Sequence, residues 1–132
     1  AGADGTSKGI RVFREVHDSS NFHFFKNMEP NDFLILLKNA QCLIGNSSVG
    51  IRECAFLGVP VVNIGSRQSG RDRGANVIDV DYNKEAIKGA ILTQMEKGHT
   101  PSDSIYGDGK AGQKIADLLA TVPLQFDKKL MY

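Results

Sequence analysis

The turn NSSVG, residues 46–50, places small polar side chains between an apolar run and a helix-like segment. The start of a helix presents unpaired backbone N–H groups and a partial positive charge. Ser47 and Ser48 add hydroxyl donors, and Gly50 lets a ligand come close to the main chain, so the pattern favours a diphosphate ligand. The alternative is that Asn46 or Ser47 only caps the helix.

Glu53 lies about one and a half turns into the helix that begins in this turn. A carboxylate in this position can accept hydrogen bonds from both hydroxyls of a ribose whose phosphates lie at the helix start, as a later acidic residue does in dinucleotide-binding folds. The alternative is an ordinary exposed Glu paired with Arg52 or Arg67.

The loop GSRQSGRDRG, residues 65–74, carries Arg67, Arg71 and Arg73 between glycines, directly after a second apolar run. The carboxyl ends of parallel strands share one edge of a sheet, so the loop is expected on the same edge as the serines. Arg67 is predicted to bind phosphate, because a guanidinium contacts two phosphate oxygens at once. A solvated, flexible loop is the alternative, and no role is assigned to Arg71.

Several catalytic patterns are missing. The sequence has no GxxxxGK[ST], no HExxH and no GxGxxG that follows a strand, which argues against P-loop chemistry and hydride transfer. It also offers no convincing pair of carboxylates and no acid-base constellation. We therefore predict a binding half of an enzyme, without catalytic residues of its own.

The cysteines and histidines predict no metal and no cofactor. Cys42 and Cys54 fall in apolar segments without CxxC spacing, which favours buried thiols. His17, His23 and His99 are scattered along the chain, so neither a metal site nor a His-based triad is expected.

The first part of the chain predicts two helices, each followed by a strand. The helices run from Thr6 or Ser7 to about Asp18 and from Pro30 onward, and the strands are NFHFF and QCLIG. The second helix is expected to bury a stripe made of Phe33, Leu34, Leu37 and Ala40.

The second part continues the alternation. A helix is predicted from about Ser48 to Leu57, and Gly58 and Pro60 end it. The next strands are PVVNI and NVIDV, and a further helix spans Lys84 to Lys97. That helix is expected to turn Ile87, Ala90, Ile91 and Met95 inward, and Asp108 is expected to cap a last helix through Thr121. The order predicts a doubly wound, Rossmann-like α/β fold with about four parallel strands.

Size and composition restrict the class of protein. A chain of 132 residues predicts one domain over residues 1–132. With 41% hydrophobic residues, 23% charged residues and a net charge of +1, it lacks the basic excess of a nucleic-acid binder. There is no membrane-spanning apolar run and no signal peptide, so we expect a cytoplasmic protein, cut from a longer one.

The segment GNSSVGIRECAFLGVPVVNIGSRQSGR resembles the UDP-N-acetylglucosamine 2-epimerases. The opening DGTSKGIRVFRE and the later SDSIYGDGKAGQKIADLL are similar to the same family, so the resemblance covers nearly the whole chain. The NSS turn resembles the hydrolysing branch linked to sialic acid synthesis more than the non-hydrolysing branch, which usually has DSGG there. The resemblance implies the C-terminal half of a glycosyltransferase-B-like fold whose N-terminal domain is absent from this chain.

The resemblance also implies site residues. Ser47 and Ser48 would bind the diphosphate of UDP, Glu53 the ribose hydroxyls and Arg67 a phosphate. Two weaker transfers are Met28, where backbone groups of relatives meet the uracil, and Phe33, which falls near the base. Arg11 and Arg14 match an inhibitor pocket of some relatives, and a solvated helix face is the alternative reading.

The family's reaction removes the sugar C2 proton, eliminates UDP to give 2-acetamidoglucal, and adds water to release N-acetylmannosamine. The acid and base groups belong to the N-terminal domain in relatives, so this chain alone is expected to be inactive. A hydrolysing epimerase of UDP-N,N'-diacetylbacillosamine, a UDP-sugar-binding glycosyltransferase domain and a non-enzymatic binding module remain the alternatives. The full-length enzyme is expected to be a homo-oligomer.

Overall fold

A parallel sheet of three strands organises the larger part of the computed structural model, which describes residues 3–123. The strands β1 (Leu43–Gly45), β2 (Val61–Ile64) and β3 (Val77–Val80) lie side by side in chain order. Val61 of β2 lies opposite Leu43 on one side and Val77 on the other. The predicted α/β class with a parallel, Rossmann-like sheet is confirmed, although about four strands were expected and the described residues contain three.

The chain divides into two compact units, one ending at Asp32 and the other beginning at Phe33. The first contains α1 (Ala3–Val16), and α2 (Pro30–Lys38) runs across the boundary. Up to residue 123, the second unit contains the sheet and four further helices, α3 (Ser48–Ile51), α4 (Glu53–Leu57), α5 (Lys84–Lys97) and α6 (Ala111–Thr121). That residues 1–132 form one domain stays a prediction.

In the first unit, the expected strand NFHFF is wrong, because residues 21–25 form a turn and irregular chain. Their aromatic rings pack on one another and on α1 instead. The ring of Phe22 meets Phe13 edge-on at 5.0 Å between centroids and stacks on Phe24 at 6.4 Å. Aromatic residues favour strands because they pack well, and here ring packing is satisfied without strand pairing. α1 also begins earlier than expected, at Ala3.

The core of the second unit lies around β2. Val61 and Val62 are both buried, and neighbouring strand residues point to opposite faces, so both faces of β2 are covered. The core cluster consists of Leu37, Cys54, Val59 and Val61. α3 packs on β1 and β2, whereas α5 packs on β2 and β3.

Helix α5 has the bounds that the sequence predicts, and Ala90 is buried and Ile87 and Ile91 half-buried as expected, but the last inward position is one residue earlier than predicted. Gln94 is completely buried and Met95 is 48% exposed, so the expected inward position of Met95 is wrong. The Gln94 amide donates hydrogen bonds of 2.7 Å to the carbonyl oxygens of Val61 and Asn76. These carbonyls lie in the interior and need a donor, which an apolar side chain does not supply.

Two other helix predictions need correction. Leu37 of α2 is buried, whereas Leu34 is 39% exposed and does not belong to the buried stripe. Asp108 lies two positions before the actual N-cap of α6, Lys110, which makes no side-chain capping bond. The Asp108 carboxylate instead accepts hydrogen bonds from the Lys110 backbone N–H and the Lys114 ammonium, each at 3.0 Å.

Helix α4 ends at Gly58, which adopts the left-handed conformation with φ 70°. A β-carbon on Gly58 would collide with the carbonyl oxygen of Thr100, so the position requires glycine. The Thr100 N–H donates to the Gly58 carbonyl at 2.9 Å, and the Asp103 N–H donates to the Ala55 carbonyl at 3.0 Å. The last turn of α4 is therefore hydrogen bonded to the chain that follows α5.

Candidate functional site

The turn after β1 positions the two serines. Ser47 is the N-cap of α3, with φ −75° and ψ 146°, and its hydroxyl accepts a hydrogen bond of 3.4 Å from the Val49 N–H. The capping role considered from the sequence is therefore present. A hydroxyl that accepts one hydrogen bond still has its own hydrogen to donate, so capping leaves Ser47 able to bind an anion. No residue in the described range 3–123 hydrogen bonds to the Ser48 hydroxyl.

The predicted continuous helix from Ser48 to Leu57 is wrong. The segment divides at Arg52, with φ −98° and ψ −70°, into a helix of 4 residues and one of 5 residues. So short a helix sums few peptide dipoles, and the helix charge invoked for the turn is correspondingly small. Positive potential at this edge has to come mainly from arginine side chains.

Gly50 has a different role from the one its position suggests. A β-carbon there would lie 2.9 Å from Val61 Cγ1 and 3.4 Å from Leu43 Cδ2. The missing side chain therefore faces the sheet, and glycine is explained by the close packing of α3 on β1 and β2. That Gly50 contacts a ligand stays a prediction. Its original reason, that glycine lets a ligand come close to the main chain, does not apply, because the open side faces the sheet.

The arginine loop, residues 65–74, lies directly against the serine turn. The Arg67 guanidinium Nη1 is 3.5 Å from Asn46 Oδ1, and the Gln68 amide donates a hydrogen bond of 2.8 Å to the Asn46 carbonyl. Gln68 is 3% exposed, whereas Arg67 is exposed. The structure thus brings Arg67 to the residue that precedes Ser47, at the carboxyl ends of β1 and β2.

The three arginines of the loop differ in their partners. Arg73 forms an ion pair of 3.0 Å with Asp79, which also accepts a hydrogen bond of 2.6 Å from the buried Asn63 amide. Burial acts to raise the pKa of Asp79, but the hydrogen bonds from Arg73 and Asn63 and the Arg73 charge outweigh it, so the pKa is lowered. Within residues 3–123, neither Arg67 nor Arg71 has an acidic partner, so both charges are available to an anion.

Glu53 lines a cavity of about 400 Å³ in the second unit. One carboxylate oxygen, Oε1, lies 3.9 Å from Arg52 Nη2, which is the pairing considered from the sequence. The other oxygen, Oε2, is buried and accepts no hydrogen bond from any described residue. A buried carboxylate oxygen without a donor is costly, so Glu53 has acceptor capacity that the described residues leave unused.

The wall of this cavity also includes residues to which the sequence analysis assigned no role. Tyr106, Gly107 and Gly109 line it, and the Tyr106 hydroxyl donates a hydrogen bond of 2.9 Å to the carbonyl of Asp72 in the arginine loop. Gly107 and Gly109 have φ values of 115° and 77°, which favour glycine. Their signal in the sequence is YGDG, residues 106–109, which belongs to a segment that is similar to the family. The remaining lining residues are Leu34, Arg52, Phe56, Leu57 and Asp103.

Phe33 and Met28, the two residues expected near the base, are not among the residues that line this cavity. Phe33 packs, partly buried, against the core cluster, and its neighbour Leu34 lines the cavity instead. Met28 belongs to the first unit, where it is half-buried. Their contacts with uracil stay predictions.

A second cavity, of about 520 Å³, lies in the first unit along α1. Arg11 and Arg14 line it together with Ser7, Glu15 and Ser19. The Arg14 guanidinium also lies 4.9 Å from the centre of the Phe24 ring, a cation–π distance. Arg14 is therefore packed against the aromatic cluster as well as facing the cavity.

The expected burial of the thiols holds for Cys54, whereas Cys42 is only half-buried. Cys54 is completely buried, and burial, followed by the charge of Glu53 and the effect of Cys42, raises the pKa of its thiol to about 12. A protonated buried thiol is a poor nucleophile and a poor metal ligand. In the described part of the chain, no group of three His, Cys, Asp or Glu side chains is arranged to hold a metal ion, and no helix is long and apolar enough to cross a membrane.

Comparison with known proteins adds independent information. A family model described as UDP-N-acetylglucosamine 2-epimerase matches residues 3–120. A UDP-N,N'-diacetylbacillosamine 2-epimerase (hydrolyzing) of Legionella pneumophila is 38% identical over 86% of this chain, which spans 30% of that protein. A UDP-N-acetylglucosamine 2-epimerase of Neisseria meningitidis is 38% identical over 70% of the chain, equal to 25% of its own length. The polysialic acid biosynthesis protein P7 of Escherichia coli is 39% identical over 73% of the chain and 24% of its own length.

Proposed function

The chain belongs to the UDP-N-acetylglucosamine 2-epimerase family, and on this basis we propose that it is the UDP-binding C-terminal domain of such an epimerase. The family has a fold of the glycosyltransferase-B type. The chain spans less than a third of the relatives it matches, with 30% of the Legionella protein, so the complete enzyme has a further, N-terminal domain under this proposal.

The observation that carries the proposal is the position of Arg67. It has no acidic partner among the described residues and lies 3.5 Å from Asn46, next to Ser47 and Ser48. A guanidinium and two hydroxyls at one sheet edge suit a diphosphate, because a guanidinium can contact two of its oxygens at once. Glu53 lines the cavity, and its carboxylate has acceptor capacity that no described residue uses, so under this proposal it accepts hydrogen bonds from ribose hydroxyls.

In the proposed reaction of the full enzyme, loss of the sugar C2 proton and anti elimination release UDP and leave 2-acetamidoglucal. Water then adds to give N-acetylmannosamine. Arg67, Ser47 and Ser48 would stabilise the negative charge that grows on the leaving diphosphate as the glycosidic C–O bond breaks. The acid and base groups lie in the N-terminal domain under this proposal, so we expect the 132-residue chain to have no epimerase activity. Sugar release by this chain alone would contradict that expectation.

A second candidate substrate is UDP-N,N'-diacetylbacillosamine, since a relative named for a hydrolysing epimerase of that sugar is 38% identical to this chain. The two substrates share UDP and differ in the sugar, and the residues proposed here contact only UDP. Family membership favours either epimerase over a UDP-sugar-binding glycosyltransferase domain and over a non-enzymatic binding module. The proposal includes a homo-oligomeric full-length enzyme, as the family resemblance implies, and a cytoplasmic location, as expected from the sequence.

The proposal is tested by titrating the chain with UDP, UMP, uridine and ADP while following backbone amide shifts by NMR. We expect shifts at residues 46–53 and at Arg67 with UDP, smaller shifts with UMP and none with ADP. Equal responses to UDP and ADP would contradict a uridine site. An absence of response to millimolar UDP would contradict UDP binding by this domain.

A further inference from the structure

We infer that Gln68 is a positioning residue, which holds the serine turn and Arg67 in one diphosphate-binding arrangement. The inference rests on the proposed function and extends it to a residue that contacts no ligand. Gln68 directly follows Arg67, and its amide reaches the residue that directly precedes Ser47.

The first argument is burial. Gln68 is 3% exposed, although Arg67 and Ser69 on either side of it are exposed. Removing a polar amide from water costs free energy unless the amide makes hydrogen bonds inside the protein. A glutamine buried in an exposed loop therefore indicates a specific contact that keeps the loop in place.

That contact is the hydrogen bond of 2.8 Å from Gln68 Nε2 to the Asn46 carbonyl, which spans 22 residues of sequence. The other described side-chain bond between loop and turn, from Arg67 Nη1 to Asn46 Oδ1, is exposed and 3.5 Å long. A bond of that length is weak and does not fix Arg67 by itself. The Gln68 carbonyl also accepts a hydrogen bond of 3.4 Å from the Arg71 N–H, which closes a turn within the loop.

The donor end of the amide carries this role. Gln68 Oε1 is buried and accepts no hydrogen bond from the described residues, whereas Nε2 makes the contact with Asn46. A diphosphate that bridges the turn and the loop needs both at a fixed separation, and a loop held in place before binding loses less entropy when the ligand arrives. Loss of the Gln68 amide should therefore weaken the binding of the diphosphate and leave the binding of the nucleoside nearly unchanged.

The test is isothermal titration of the 132-residue chain with UDP and with uridine. Gln68→Met keeps the size of the side chain and removes the donor. We expect it to weaken UDP binding about ten-fold and to change uridine binding less than about two-fold. In an Arg67→Ala background, the same substitution should change UDP affinity less than about two-fold, because the group to be positioned is gone. Gln113→Met, on the exposed face of α6, is the matched control and should bind like the original chain.

The outcomes separate this inference from the proposed function. If the original chain does not bind UDP, the proposed function fails and the inference fails with it. If the original chain binds UDP and Gln68→Met binds it equally well, only the inference is overturned. Equal weakening of UDP and uridine would show a general role in folding and would also overturn it. If Gln68→Met does not fold, Gln68→Asn serves instead, because the shorter amide does not span to the Asn46 carbonyl, and the same changes are expected.

Discussion

The hydroxyl of Tyr106 donates a hydrogen bond of 2.9 Å to the carbonyl oxygen of Asp72, across 34 residues of sequence. Tyr106 lines the cavity that contains Glu53, and Asp72 lies in the arginine loop. The bond therefore connects the part of the site proposed for ribose with the loop proposed for phosphate.

Loss of this bond should loosen the arginine loop. We expect Tyr106→Phe to lower the free energy of unfolding by about 1 kcal/mol and to speed hydrogen exchange in residues 69–73. The control is Tyr82→Phe, since Tyr82 is 74% exposed and its hydroxyl makes no described hydrogen bond. Hydrogen exchange that is unchanged in Tyr106→Phe would show that the bond does not restrain the loop.

The unpartnered oxygen of Glu53 predicts discrimination at the ribose. We expect the chain to bind UDP about ten-fold more tightly than 2'-deoxy-UDP, because a missing ribose hydroxyl leaves the carboxylate without one donor. Glu53→Gln should reduce this preference, and the exposed Glu85→Gln should preserve it. Calorimetric titration with both nucleotides measures the ratio. If Glu53→Gln kept the full preference for UDP over 2'-deoxy-UDP, Glu53 would not be the residue that binds the ribose.

The buried amide of Gln94 predicts that two neighbouring substitutions differ in their effect on stability. Gln94→Met removes both donors that reach the Val61 and Asn76 carbonyls, and we expect a loss of about 1–3 kcal/mol in unfolding free energy. Met95→Gln, at a half-exposed position, should change it by less than about 0.5 kcal/mol. Urea denaturation compares the two. A larger loss for Met95→Gln would mean that the inward face of α5 is assigned incorrectly.

The lowered pKa of Asp79 predicts a dependence of stability on pH. A carboxyl with a folded pKa below its ordinary value of 3.8 contributes stability that is fully present above that value and is lost as the pH falls through the folded pKa. The difference in unfolding free energy between the original chain and Asp79→Asn should therefore be largest near neutral pH and shrink below about pH 4. Asp72→Asn, whose carboxylate makes no described ion pair, is the control. A difference that stays constant down to pH 3 would rule out this role for the Arg73–Asp79 pair.

Local signals explain what the sequence predicted well. Helix α5 begins after Asn83, whose side chain accepts a hydrogen bond of 2.9 Å from the Ala86 N–H, and it ends before Gly98. Both signals are readable from a few neighbouring residues. The order of strands and loops likewise predicted that Arg67 and the serine turn share one edge of the sheet.

The incorrect or missing predictions concern positions whose environment is determined by residues distant in sequence. The inward turn of Gln94 depends on carbonyls of β2 and of the chain before β3, far from it in sequence. Gly50 is explained by Val61 on the facing strand, and the cavity wall at Tyr106 adjoins Glu53 only after folding. Periodicity and spacing contain none of these contacts, so the sequence predicted the strand edge of the site and missed the wall of its cavity.

The hydrogen bonds from Thr100 to Gly58 and from Asp103 to Ala55 also constrain the order of events during synthesis. When β1, α4 and β2 leave the ribosome, the residues that complete the end of α4 have not yet emerged. Until then, the Gly58 and Ala55 carbonyls remain bound to water, and the left-handed turn at Gly58 lacks the backbone against which it fits. A nascent chain that stops after α5 would contain all three strands and still lack the contacts that close α4.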